Sequence, residues 1–161
     1  MYEQTVPVFK SMLTNLDNIL QKAAAHAEAR KFDFSVLLQS RLAPDQLPLI
    51  AQVMIACDVA KGCVGRMSGK EIPKHEDTET TLPELRERIR KTIAFIETAQ
   101  PGEFQNGPSS KQTVPWMPGK YIEGAAFLHQ VALPNFYFHV TTAYAILRHN
   151  GVVLGKADFL G

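Results

Sequence analysis

The sequence predicts an all-α fold, a four-helix bundle with long connections. Apolar residues recur at spacings of three and four in four separate segments. Proline, glycine and capping residues punctuate those segments, and no series of alternating strands is present. At 161 residues, 45% hydrophobic and 20% charged, the chain has the composition of one globular domain over residues 1–161.

The first long helix is expected over about residues 6–29. Phe9, Leu13, Leu16, Leu20 and Ala23 form its stripe, Thr5 stands at the N-cap, and Pro7 fits the first turn. The segment "KFDFSVLLQSRLAPDQ" is a connection holding one short helix started by Asp33. A second long helix follows over about 46–68, announced by Pro44 and Asp45 and ended by Gly69. It carries no charge between Leu47 and Cys57, so it should be buried on more than one side.

The third long helix opens with "TLPE", in which Thr81 caps, Pro83 sits in the first turn and Glu84 completes a capping box. Leu82, Leu85, Ile89, Ile93 and Ile96 make its stripe, while the run "ELRERIRKT" reads as a solvated face. Residues 101–119, with four prolines and three glycines, read as a surface loop with a short strand over Gln112–Val114. A helical stretch over about 120–132 leads to Pro134, where the chain should kink or restart. The fourth long helix then occupies about 134–149 and stops at Asn150-Gly151. The apolar tail "VVLGKADFLG" should pack back onto the body.

A formal net charge of +1 supplies no field to attract nucleic acid or anionic lipid. No apolar run reaches membrane-span length, and the mixed N-terminus shows no signal peptide. Cys57 and Cys63 stand six apart on one helix, on different faces and roughly 9 Å apart along its axis, so they cannot bridge. Two free thiols point to a reducing cytoplasm.

The informative stretch is "PNFYFHVTTAYAILRHNG". Asn135, His139 and Thr142 share one edge of the fourth helix, and Tyr144 and Arg148 another. Helix two offers Gln52, Asp58 and Lys61 as buried partners. One reading places a divalent metal or a polar small ligand at His139, with Asn135, Gln52 and Asp58 as neighbours. The other pairs Asp58 with Lys61 or Arg148 as a buried ion pair that holds helix register. Of the remaining histidines, only His26 roughly continues an apolar stripe and could accompany His139.

The strings "ALPNFYFHVTTAYAILRHNGV", "LGKADFLG" and "QVMIACDVAKG" resemble an uncharacterised branch, a domain of unknown function, of the DinB-like superfamily. The resemblance covers essentially the whole chain and implies a four-helix bundle, often dimeric. In many members three histidines bind a divalent metal, and some are thiol-dependent transferases or isomerases. Metal-binding members carry two histidines four apart on the last helix, with a glycine shortly after. Taking His139 as the second puts Asn135 at the first and leaves Gly151 too far downstream; taking His149 puts Ala145 there. Helix two has no histidine, so Gln52 or Asp58 is the nearest substitute. The leading expectation is therefore a DinB-like bundle with a degraded or altered metal site. The alternatives are a metal-dependent thiol transferase or isomerase on a small organic substrate, and a non-catalytic dimeric module holding a small apolar ligand between helices two and four.

Overall fold

In a computed structural model, which describes residues 1–114 and 116–161, the first long helix (α1) spans Val6–Arg30. Thr5 stands at its N-cap without making the expected cap bond. Its hydroxyl donates instead to the carbonyls of Met1 and Tyr2, both at 3.0 Å, closing a 3-10 turn over Tyr2–Gln4. The Thr5 backbone, at φ −124° and ψ −78°, lies outside the extended region from which a cap side chain reaches forward. A four-residue helix, α2 (Ser35–Leu38), follows, and Asp33 accepts from the Ser35 N–H at 2.7 Å just before it.

The second long helix, α3, runs Leu49–Ser68 and begins three residues later than expected. Pro48 is its extended N-cap residue, and a residue before proline is steered away from helical geometry. The third, α4 (Leu82–Glu97), begins with the predicted capping box: the Thr81 hydroxyl accepts from the Glu84 N–H, and the Glu84 carboxylate accepts from the Thr81 N–H at 2.9 Å.

Two short strands, β1 (Lys111–Gln112) and β2 (Ile122–Glu123), pair antiparallel with Lys111 opposite Glu123. The strand thus starts one residue before the expected segment, and Val114 leaves it to bury its side chain. Because Ile122 and Glu123 are taken by the pairing, helix starts at Gly124 rather than near 120. This helix is α5 (Gly124–Phe127). Only glycine fits at 124, since a Cβ there would lie 1.9 Å from the Gly107 carbonyl oxygen.

The chain does not break at Pro134. From α5 it passes through a π turn over Leu128–Ala132 directly into α6 (Leu133–His149). The Leu133 N–H donates to the Leu128 carbonyl, five residues back. The wider turn lets the helix continue past a proline that cannot donate and whose ring would strike an α-helical carbonyl. Gly151, at φ 89°, ends α6, and the Val152 N–H returns to the Leu147 carbonyl at 3.1 Å. The tail folds as α7 (Lys156–Leu160) against α1, where the Asn15 amide donates to the Phe159 carbonyl at 3.1 Å.

Four long helices form the bundle, with α1 beside α4 and α6, and α3 beside the same two. Phe9 meets Phe136, and His26 lies near Gly151, so α1 and α6 run parallel. Lys10 pairs with Glu97 and Asp17 with Arg86, so α4 is antiparallel to α1. Gln52 meets His139, and Arg66 lies over the Phe127 ring, so α3 is antiparallel to α6. It follows that α3 and α4 run parallel. Their connection, residues 69–81, must travel back along the bundle as extended chain. The core between them is aliphatic and aromatic, with Phe9 edge-on to Phe136 at 4.8 Å and Leu13, Val53, Ile89 and Val140 fully buried. Each such side chain contributes roughly 1.5–3 kcal/mol by leaving water. No helix among the described residues is long and apolar enough to cross a membrane.

Candidate functional site

The α3–α6 interface brings Gln52 and His139 together. His139 Nδ1 lies 2.7 Å from the Gln52 side-chain oxygen, and the Gln52 amide nitrogen donates to the Leu47 carbonyl at 2.9 Å. This pattern assigns the Nδ1 proton, so His139 donates to Gln52. Both side chains are buried, and burial pushes the His139 imidazole below its ordinary 6.5, favouring the neutral form.

The other expected neighbours lie elsewhere. Asn135 is solvent-exposed, because four residues of helix leave about 40° of rotation, enough to clear the edge of α3. Asp58 is six residues after Gln52, roughly 120° round α3, and faces α4 instead of α6. His26 is half-buried beside Phe32 and Gly151, at the far end of α6 from His139. His129 and His149 are exposed. Among the described residues, no three His, Cys, Asp or Glu side chains converge as metal ligands. One imidazole, whose Nδ1 is already engaged, and one amide do not form a divalent-metal site.

Asp58 does find cations. Its carboxylate takes Lys61 Nζ at 2.8 Å, as one expected pairing had it, and Arg88 Nη2 at 2.8 Å. Arg148 is not among its partners. Since α6 runs opposite to α3 and His139 is level with Gln52, Arg148 lies about 13 Å beyond that level, past the start of α3, where it is exposed.

The residue that sequence reasoning missed is Arg88, assigned to the solvated face of α4 yet only 2% exposed. Its signal was spacing. Arg88 stands three residues after Leu85 and four before Thr92, on the face it shares with Ile89 and Ile96, and all five are buried. Besides Asp58, Arg88 binds Asp77 at 2.8 Å and Glu79 at 3.0 and 3.1 Å, both on the α3–α4 connection. Burial works against the guanidinium charge, but these carboxylates outweigh it and raise its pKa. His75, on the same connection, is pushed below its ordinary value by burial and then by Lys61 and Arg88.

Cys57 and Cys63 are free and buried, and burial pushes both thiols up to about 12. Protonated, enclosed thiols are poor nucleophiles, so neither is equipped for covalent chemistry.

Residues 1–160 match a family described as a domain of unknown function, DUF1993. No curated protein matches the chain. It is similar to the crystal structure of a DinB family member protein from Shewanella denitrificans, at 51% sequence identity and a TM-score of 0.96, over 99% of this chain and 91% of that one. The buried His139–Gln52 contact and the Arg88 cluster are thus features of a helical bundle whose chain belongs to the DUF1993 family of DinB-like proteins, a family of unknown activity.

Proposed function

We propose that this protein is a non-catalytic, self-associating bundle in which the metal corner of DinB-like folds has become a structural hydrogen bond. The observation that carries the reading is the His139–Gln52 contact of 2.7 Å inside the α3–α6 interface. It uses the one inward-facing imidazole of α6 to tie two helices together. A metal-dependent transferase or isomerase acting on a thiol would need ligands that Asn135 and Asp58, turned elsewhere, do not supply. Protein purified without added metal should hold well under one zinc, nickel or iron per chain, unchanged in His139→Ala. Stoichiometric metal that disappears in that variant would overturn the reading.

Self-association rests on the outer face of α6. Leu42, Tyr137, Phe138, Thr141, Thr142 and Ala145 border an open groove of about 420 Å³, and Phe138 is 54% exposed. Exposed aromatics clustered around an apolar groove suit a partner surface, and a second copy would cover them. The small apolar ligand considered between α3 and α6 is not favoured, because Val53, Ala56, Ala60, Val140 and Ala143 fill that interface. Two free, buried thiols fit a reducing cytoplasm.

A further inference from the structure

The α3–α4 connection does more than return the chain. With α4 it borders a half-open cavity of about 240 Å³ lined by Lys74, His75, Thr78, Glu79, Arg88 and Lys91. At roughly 30 Å³ per water molecule in the liquid, that is space for more than a bridging water.

Two buried atoms of this lining, His75 Nδ1 and Arg88 Nε, have no hydrogen-bond partner among the described residues. Nε of arginine can only donate. The acceptors nearby are already engaged: Glu79 by Arg88 Nη1, Asp77 by Arg88 Nη2, and Asp58 by Arg88 and Lys61. Lys74 and Lys91 add ammonium donors, and Lys91 has only a loose contact with Glu87 at 3.9 Å. Glu76 also lines the cavity, and with Asp58, Asp77 and Glu79 it balances the charges of Lys61, Lys74, Arg88 and Lys91. What is missing is an acceptor placed for Arg88 Nε. We propose that this cavity binds a small oxyanion of phosphate or carboxylate type, with Arg88 Nε, His75, Lys74 and Lys91 as its donors. A buried unpaired donor costs stability, and an oxyanion would relieve it through charge-assisted bonds.

His75 reports on occupancy. In the free protein, burial and the charges of Lys61 and Arg88 hold its pKa down, opposed by Asp58 and Glu79. An anion beside the ring offsets those cations, so binding should raise the His75 pKa and take up a proton.

The test titrates the full chain with inorganic phosphate, and separately with acetate, against sodium chloride at matched ionic strength. The His75 ring resonances are followed by NMR across pH. A saturable His75 shift and a raised His75 pKa, absent with chloride, are expected with phosphate. Lys91→Gln, at a solvent-facing position that leaves the fold intact, should weaken binding about fivefold, as loss of one charge-assisted contact does. Saturation by acetate as well assigns a general oxyanion site, and saturation by phosphate alone a phosphate-type one; both support the proposal. No saturable shift at tens of millimolar phosphate, a shift equal to that in chloride, or binding undiminished in Lys91→Gln would overturn it.

Discussion

Arg88 shows how one buried charge organises its surroundings. Its guanidinium draws Asp58 from α3 and Asp77 and Glu79 from the connection, so three stretches of chain converge on one side chain. The partners are unequal in consequence. Loss of Asp58 leaves Arg88 with two other carboxylates, but it leaves the buried Lys61, which pairs with Asp58 alone among the described residues, with none. Asp58→Ala should therefore cost about 3–5 kcal/mol, the toll of stranding a buried cation, here Lys61. Arg88→Met removes the shared cation from three carboxylates and should cost about 3–5 kcal/mol. Urea denaturation of both variants checks these losses; an Asp58→Ala variant as stable as the parent would show that neither cation depends on Asp58. At this scale the sequence was half legible. Asp58 and Lys61 stood out as charges within an apolar helix, and so did their need for partners. Arg88 was masked by five other charged residues in "ELRERIRKT", although its spacing from Leu85 and Ile89 marked the inner face.

Among the elements, those with chemical punctuation at their ends were the readable ones. Thr81 and Glu84 close the start of α4 as their types and spacing require. Thr81→Ala should destabilise the protein by about 1 kcal/mol, the usual worth of an N-cap hydroxyl, measured as a lowered midpoint in urea. Backbone and side-chain hydrogen bonds from Thr80 and Thr81 hold the Glu84 carboxyl below its ordinary 4.5. Its share of the cap is complete above that pH and fades as the pH falls through the lowered value. Two elements resisted reading because their cause is tertiary. The strand pairing of 111–112 with 122–123 depends on the close approach of Gly124 to Gly107, which no local pattern announces. Pro134 signals a break by every local rule, yet the π turn before it carries the helix through.

For the whole molecule, the four-helix bundle was legible from periodicity, but the order of its helices was not. Apolar stripes tell each helix to bury a face without saying which neighbour to choose. The apolar residues of α6 exceed what the bundle buries. Its inner side packs on α3 and α1, while Tyr137 and Phe138 remain outside with Leu42. Light scattering at micromolar concentration should give the mass of a dimer, and Phe138→Glu, which places a charge in the groove, should return a monomer of unchanged helicity. A wild-type monomer at that concentration would refute self-association through this face.

The parallel arrangement of α3 and α4 also bears on the order in which the chain assembles. The Arg88–Asp58 bond spans a sequence separation of 30, whereas the Asn15–Phe159 bond spans 144. Loop closure costs less over the shorter span, so α3, the connection and α4 can dock early around their shared cation. The contacts of α1 with α6, and of α7 with α1, must wait until those later helices are made. During synthesis the apolar stripe of α1 therefore leaves the ribosome long before α6 arrives to cover it. Although made well before α6, α1 is among the last of the four to be fully enclosed.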